Sequence, residues 1–265
     1  MKNNIPDIYF IDIETSPWLS LCYGTIWEPI VVKILKYTQI LSMSYRKFGD
    51  KTTHHLAQNQ FKSYKPGKLN DRQLLIEISK IINLVAKNGG YIVAHNGDSF
   101  DWKIIQERVI YHRLPPLPDI STLDTKKLIK SVSKLPSNKL THTSVFLGNG
   151  TKLKHEGMDM FVGCMDGDPK SWATNEKYNN KDVDIMHDDF RDLMPYVKLP
   201  ATFSRINTDE DYEINCSNLI CLSTNLMKNG LRRAVNGWKQ SYQCKDCGRY
   251  TTDTRIIKKE NGNRT

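Results

Sequence analysis

Tyr91-Ile92-Val93-Ala94-His95-Asn96-Gly97-Asp98-Ser99-Phe100-Asp101 is the stretch on which the fold turns. Its first four residues are too short and too apolar a run for anything but a buried strand, and His95 to Asp98 turn the chain into a helix over about 99–112. Upstream, Asn70-Asp71 caps a helix whose apolar positions Leu74, Leu75, Ile78, Ile81, Ile82 and Val85 recur at helical spacing until Gly89-Gly90 ends it. Ile8-Tyr9-Phe10-Ile11 opens an extended segment over about 7–13, and further extended segments at 20–27 and 37–48 predict an antiparallel meander with it. A strand, a crossover helix and a second strand imply parallel pairing, and so an α/β sheet.

Beyond this frame, Pro115-Pro116-x-Pro118 breaks the chain, and helical patterns follow near 122–132, 138–147 and 170–194. The glycine-rich stretch 148–168 reads as loop over or beside a cleft. Pro195, Pro200 and the polar run Asn207-Thr208-Asp209-Glu210-Asp211 read as a linker, which places a boundary near 205. The expected organisation is an α/β domain over 1–204, a small cysteine-bearing domain over 205–260 and a disordered tail over 261–265. A chain of 265 residues is long enough for one substantial core and one appendage.

With 39% hydrophobic and 25% charged residues and a mean hydropathy of -0.52, the composition is that of an ordinary globular protein. No apolar run approaches the roughly 18 residues that span a bilayer, and the first residues lack the apolar stretch of a secretory signal. Both predict a cytoplasmic protein without membrane association. The net charge of +9, from 38 basic and 29 acidic residues, favours a polyanionic partner, because pairing with phosphates releases counterions.

Within this basic chain an ordered set of acids stands out. Asp12 and Glu14 follow an apolar run, and alternation along a strand turns both carboxylates to one face. Asp101 falls in the first turn of a helix, where the N-terminal dipole favours an ionised carboxylate. Tyr178 and Asp182 stand four apart on a helix and share a face. Hard oxygen ligands of this kind suit Mg²⁺ or Mn²⁺, and a pair of such ions about 4 Å apart supports phosphodiester hydrolysis by in-line displacement. Read singly, the same residues have plainer accounts: a solvated strand end for Asp12 and Glu14, a cap for Asp101, core packing for Tyr178. Tyr242-x-x-x-Asp246 repeats the last pattern among the cysteines, so the set carries information only as an ordered whole.

Tyr-Phe-Ile-Asp-Ile-Glu-Thr at 9–15, Ala-His-Asn-Gly-Asp-Ser-Phe-Asp at 94–101 and Lys-Tyr-Asn-Asn-Lys-Asp-Val at 177–183 resemble the three exonuclease motifs of the DEDD 3′-5′ exonucleases. The third is of the tyrosine type, similar to the proofreading domain of family B DNA polymerases, and the resemblance spans about 7–198. It implies a ribonuclease H-like mixed sheet flanked by helices and a stand-alone exonuclease of the kind found in phage and bacterial genomes, acting in the host cytoplasm. It also implies Asp12, Glu14, Asp101 and Asp182 as ligands of two Mg²⁺ or Mn²⁺ ions, Tyr178 as the residue orienting the attacking water, and Thr15, Asn96 and Phe100 as contacts to the terminal nucleotide, although turn formation and core packing account equally well for Asn96 and Phe100. DNA is the expected substrate, with RNA the alternative, and a replication or recombination protein is a candidate partner; the competing reading is a non-catalytic nucleic-acid-binding protein that acts through its cysteine-bearing ribbon and keeps a vestigial site. Asp124 resembles a recurring Asp-Thr of the family and reads better as a helix cap. A histidine variant of these enzymes needs His where Lys177 stands; His187 and Asp192 have that spacing but lie ten residues further on.

Cys216-x-x-x-x-Cys221 and Cys244-x-x-Cys247 fit tetrahedral thiolate coordination of one structural Zn²⁺. The pattern resembles zinc ribbons of transposases and other DNA-acting proteins, but the first pair has four intervening residues where two are usual. Disulfides are the competing reading, disfavoured in a reducing compartment. Cys22 and Cys164 read as core thiols. Arg232, Arg233, Trp238, Lys239, Tyr242, Lys245, Arg249 and Tyr250 interleave cations and rings, which suits phosphates and unpaired bases; a solvated ribbon face or a protein-binding ribbon has the same composition.

Overall fold

The computed structural model describes residues 6–153, 157–200, 203, 205–207 and 212–257. The expected tail 261–265 and residues 208–211 of the expected linker lie outside them. The chain divides into two compact units, one formed by 7–127 with 135–189, the other by 128–134 with the chain from 190 onward. The position near 205 drawn from composition thus falls inside the second unit.

In the first unit, β1 (Ile8–Thr15) is the central strand of a five-stranded sheet. Beside it lie β4 (Ile40–Lys47) and β5 (His54–Ala57) on one flank, and β6 (Tyr91–Ala94) and β7 (Ser121–Asp124) on the other. The order is β5-β4-β1-β6-β7, with β4 antiparallel to β1 and both β6 and β7 running parallel. Between β1 and β4 the chain makes a separate hairpin of β2 (Leu19–Gly24) and β3 (Pro29–Lys36). The expected three-strand meander is therefore corrected: β4 pairs directly with β1, and the hairpin carries a strand that the sequence reading did not contain. Its apolar side chains face solvent, Ile26 and Trp27 each being 87% exposed. Cys22 lies on this exposed hairpin and is not a core thiol, whereas Cys164 is fully buried.

Helix α1 (Arg72–Lys87) forms where its periodicity placed it and buries Leu74, Leu75, Ile78, Ile82 and Val85. With α2 (Asp101–Tyr111) it covers one face of the sheet, against Ile11, Ile13, Ile40, Met43, Ile92 and Ala94. Burial on this scale stabilises by roughly 1.5–3 kcal/mol for each large aliphatic side chain. Asp71 does not cap α1 with its side chain. Its carboxylate is wholly buried, accepting hydrogen bonds from Arg108 Nε at 2.8 Å, Arg108 Nη2 at 2.9 Å and Ile40 N at 3.0 Å, and lies 2.6 Å from His112 Nε2. This pair joins the start of α1 to α2 and to the sheet.

After α3 (Thr125–Val132) and α4 (Leu140–Leu147), α5 (Met158–Asp166) and α6 (Pro169–Leu193) complete the helices. Two expectations change here. Residues 121–124, read as the beginning of a helix, are a strand because β6 supplies a partner for them. Part of the expected 148–168 loop is helix α5. Its Gly163 is required by close packing rather than by a turn, since a Cβ there would stand 2.1 Å from Ser171 Oγ on α6. Leu41, Ala57, Cys164 and Trp172 form a second buried cluster, with Phe161, Tyr64 and Leu69 packed on it.

The second unit contains β8 (Arg205–Asn207) and β9 (Tyr212–Ile214), paired with one another. It also holds a three-stranded antiparallel sheet of β10 (Leu226–Ala234), β11 (Gly237–Cys244) and β12 (Tyr250–Thr252). Among the described residues no helix is long and apolar enough to cross a membrane.

Candidate metal centre and cysteine cluster

Alternation along β1 sends Ile11 and Ile13 into the core beneath α1 and α2, and leaves Asp12 and Glu14 on the opposite face. On that face α6 is tied down by amides: Asn179 Nδ2 donates to Asp12 Oδ2 at 2.7 Å and to Asp12 O at 3.1 Å. Ser42 Oγ on β4 donates to Asn175 Oδ1 at 2.7 Å and to Asn179 Oδ1 at 3.3 Å. One turn beyond Tyr178 on the same helix, Asp182 is buried, and its carboxylate comes together with Asp12 and Glu14. One oxygen from each of the three lies within 4.8 Å of the others. Strand and helix so far apart in sequence meet because the buried amides fix the register of α6 on the sheet.

Asp101, the first residue of α2, completes the surroundings without joining that triad. Its Oδ1 accepts a hydrogen bond from Ile13 N at 3.1 Å, from the residue between Asp12 and Glu14. The α2 start is held in place by a turn in which Asn96 takes a left-handed conformation (φ 66°) and Gly97 sits where a Cβ would meet the Ala94 Cβ at 2.3 Å. Asp124 Oδ1 accepts from Asn96 N and Lys126 N, both at 2.9 Å, so it caps α3 and braces this turn. Asn96 Oδ1 accepts from Lys126 Nζ at 3.1 Å, Phe100 is 45% exposed, and Thr15 is half-buried at the end of β1, next to a register shift against β4. Bulges of this kind recur beside functional sites.

A residue that carried no signal in the sequence lies against these groups. Lys152 Nζ lies 2.5 Å from Asp182 Oδ2 and 3.3 Å from Tyr178 Oη, with the ammonium 5.3 Å from the Tyr178 ring centre. Burial acts against its charge, but Asp182 and Asp12 outweigh burial and hold its pKa above the ordinary lysine range. Lys177 is exposed, and His187 packs against Phe10 and Phe48, with ring centres 5.1 and 5.6 Å away. The histidine alternative thus has its ring in an aromatic cluster.

The carboxylates of the triad oppose one another's ionisation. Burial, followed by the charges of Glu14, Asp101 and Asp182, pushes the Asp12 pKa well above the carboxylate range. Burial and Asp182 raise Glu14 to about 8. Asp101 rises to about 6, mainly from burial, although the Ile13 amide works the other way. Tyr178, raised to about 12 by burial and Asp182, keeps its phenolic proton at neutral pH. Carboxylates crowded in this way ionise together only if positive charge enters among them.

Four thiols form the second cluster. One Sγ from each of Cys216, Cys221, Cys244 and Cys247 lies within 4.8 Å of the others, with Cys216–Cys247 at 3.5 Å and Cys221–Cys244 at 3.7 Å. These separations are far from a bonded S–S pair and close to the roughly 3.8 Å edge of a tetrahedron with Zn–S of about 2.3 Å. All four cysteines are free, and the four-residue spacing of the first pair is absorbed by a turn in which Cys221 N and Leu222 N both donate to Asn218 O. Burial raises the Cys216 thiol, and raises Cys221 to about 11. Burial also acts on Cys244, but the amides of Cys247 and Asp246 bring it below the usual thiol range. The four cysteines are thus placed so that they can hold one metal ion.

No protein-family model matches the chain, and no curated protein matches it. Solved structures do match, a polymerase among them. It is the family B DNA polymerase of the hyperthermophilic archaeon Pyrobaculum calidifontis, at 11% sequence identity and a TM-score of 0.49, with 69% of this chain and 24% of that chain covered. The match therefore takes in a minor part of the polymerase's length.

Of the residues expected in the site, the fold brings together Asp12, Glu14 and Asp182, sets Asp101 one backbone amide away and places Tyr178 one helical turn from Asp182. Asn179 and Lys152 were missed. Asn175, Asn179 and Asp182 at helical spacing form a buried polar stripe that was available as a signal; Lys152, in a glycine-flanked segment, offered none.

Proposed function

We propose that this chain is a metal-dependent 3′-5′ exonuclease of ribonuclease H-like fold, which hydrolyses the terminal phosphodiester of single-stranded or frayed DNA to nucleoside 5′-monophosphates. The observation that carries the proposal is the convergence of Asp12, Glu14 and Asp182, from β1 and α6, within 4.8 Å, with Asp101 adjoining through the Ile13 amide. The mixed sheet flanked by helices, in the order β5-β4-β1-β6-β7, supports the fold assignment, and the net charge of +9 supports a polyanionic substrate. The division of labour between a nuclease domain over 1–204 and a zinc ribbon over 205–260 is part of the same proposal.

In this reading Asp12, Glu14, Asp101 and Asp182 would hold two Mg²⁺ or Mn²⁺ ions, and the burial and mutual repulsion that raise the pKa values of Asp12 and Glu14 would be relieved by such ions. The ions, when bound, supply Lewis-acid activation of water and neutralise charge on the phosphate. The protein's own part is positional. Asn179 fixes one carboxylate oxygen of Asp12 and leaves the other to a ligand. The Ile13 amide does the same for Asp101. The Tyr178 phenol, protonated at neutral pH, orients the attacking water by hydrogen bonding. Lys152 holds a cationic group against Asp182 and Tyr178, and its long side chain lets that charge pass from Asp182 to a phosphate oxygen.

The proposal is tested with matched end-labelled single-stranded and duplex DNA and RNA, incubated with the protein and Mn²⁺. The expected result is a ladder shortened from the 3′ end with mononucleotide products, strongest on single-stranded DNA. Shortening from the 5′ end, or none on any substrate, overturns it; preference for RNA replaces the substrate and keeps the chemistry.

A further inference from the structure

We propose that the second unit carries a binding groove for single-stranded nucleic acid, built from the ribbon sheet and the segment Pro195–Pro200. A cavity of about 670 Å³ opens there, lined entirely by residues of this unit. Its lining includes Lys198, Arg232, Arg233, Lys239 and Arg249 and, among the described residues, no carboxylate. Volume alone puts it within the roughly 300–1,000 Å³ of ligand sites; its chemistry says what it takes.

Three observations point to a polyanion with flat, stackable groups. First, Arg232 on β10 stands directly opposite Lys239 on β11. Like charges in facing positions of an antiparallel pair destabilise a sheet unless an anion sits between them. Second, two exposed aromatic residues line the cavity: Tyr196 is 74% and Tyr250 50% exposed. Exposed rings among cations are the arrangement that follows a phosphate chain while stacking unpaired bases. Third, the two walls are fixed to one another. Arg249, 5% exposed, donates from Nε to Ser217 Oγ at 2.7 Å and from Nη2 to Val197 O at 2.7 Å. The groove is therefore held open before any ligand arrives. The structure also revises which residues of the ribbon take part. Trp238, Tyr242 and Lys245 do not line the cavity, and the Trp238 backbone is engaged in a bridge to Ile257.

A basic groove without aromatic lining would suit any polyanion, and a pocket for a free nucleotide would need no chain of cations along two strands. Both are distinguishable by experiment. The groove gives the proposed nuclease a hold on its substrate, and it rests on that reading for the use of the bound strand, though not for the binding itself.

The test is fluorescence anisotropy of a labelled fifteen-nucleotide oligothymidylate with the full zinc-containing chain and no added divalent ion. Replacing Arg232 and Arg233 together by Ala should weaken binding at least roughly tenfold, and should flatten the salt dependence by roughly 0.7 in the log–log slope per lost phosphate contact. Lys198→Glu, at an exposed position, should weaken binding in the same direction and serves as arbiter if the double variant loses zinc or melts early. Tyr250→Ala should cost about fivefold or more, and Tyr250→Phe should restore affinity, as stacking requires. Unchanged affinity and slope in both cation variants overturn the groove. Competition by thymidine 5′-monophosphate as effective as by the oligonucleotide overturns it in favour of a nucleotide pocket, and equal competition by polyglutamate in favour of an acidic protein partner. A second readout separates this proposal from the nuclease reading. Mn²⁺-dependent hydrolysis of the p-nitrophenyl ester of thymidine 5′-monophosphate, too small to span a groove, should be unchanged in the groove variants. Absence of that hydrolysis in the wild type counts against the nuclease and leaves the anisotropy result to stand by itself.

Discussion

Lys152→Met removes the ammonium from the carboxylate cluster while keeping most of the side chain's length. Lys152 Nζ stands 2.5 Å from Asp182 Oδ2, and Asp182 is 1% exposed, so the lysine both occupies a carboxylate oxygen and raises the local potential. Two effects of opposite sign follow. Without divalent ions the variant loses a charged hydrogen bond worth about 1.5–3 kcal/mol, discounted toward the lower figure because the lysine side chain is 28% exposed. With divalent ions the variant gains. Unit charges about 4 Å apart at an effective dielectric constant of about 20 interact by about 4 kcal/mol, and even a third of that repulsion relieved is about tenfold in affinity. Isothermal titration of Mn²⁺ into zinc-loaded wild type and variant, beside thermal melts with and without Mn²⁺, reads both. The expected result is a lower melting temperature for the ion-free variant and at least about tenfold tighter Mn²⁺ binding. Weaker or unchanged Mn²⁺ binding would refute the idea that Lys152 fills a place a cation should take.

Further outcomes follow from other parts of the structure. Because the folded-state pKa values of Asp101 (about 6) and Glu14 (about 8) are raised, the ion-free protein binds protons more tightly than the unfolded chain, and its stability should fall as pH rises through that window. Mn²⁺ affinity should rise over the same window as those protons leave, and a flat pH profile by titration calorimetry would contradict the crowding argument. Arg108→Ala leaves the buried Asp71 carboxylate without its bidentate partner and should cost about 3–5 kcal/mol by urea denaturation; a loss under about 1 kcal/mol would show that the pair does not hold α1 to α2. Metal analysis of the purified protein should find one zinc ion per chain, lost in Cys244→Ser or Cys247→Ser, and its absence from the wild type would leave the thiol cluster unexplained.

The fold was legible wherever a local pattern met no competing partner. Alternation on β1 and the periodicity of α1 translate directly into buried faces, and the parallel pairing of β1 with β6 follows from the crossover between them. Where tertiary context decided, the pattern misled. Ser121–Asp124 has no strand signature of its own and becomes a strand because β6 presents an open edge. Gly163 reads as a loop residue but stands inside α5, where its missing Cβ lets Ser171 approach. The hairpin β2–β3 reads as one more strand of the sheet because its apolar residues suggest burial, yet those side chains face solvent. The site shows the same division. Order and spacing led to the expectation that Asp12, Glu14, Asp101, Tyr178 and Asp182 converge; Asp12, Glu14 and Asp182 do so, whereas Asp101 is bound to the Ile13 amide and set beside the triad rather than within it. Asp71, which looks like a helix cap, is an internal ion-pair partner because Arg108 comes to it from α2. Lys152 was invisible because nothing in its neighbours distinguishes a lysine that reaches a carboxylate from one that points to water.

The central claim is that the converged carboxylates perform metal-dependent hydrolysis, and it is tested most directly by Asp182→Asn. This change keeps the size of the side chain and removes the charge of the residue that joins α6 to the β1 pair. Release of mononucleotide from 3′-labelled single-stranded DNA with Mn²⁺ should fall by about a thousandfold or more, the equivalent of several kcal/mol of lost transition-state stabilisation, while oligonucleotide binding and zinc content stay as in the wild type. Release at the wild-type rate by a folded, zinc-containing Asp182→Asn protein would contradict the account.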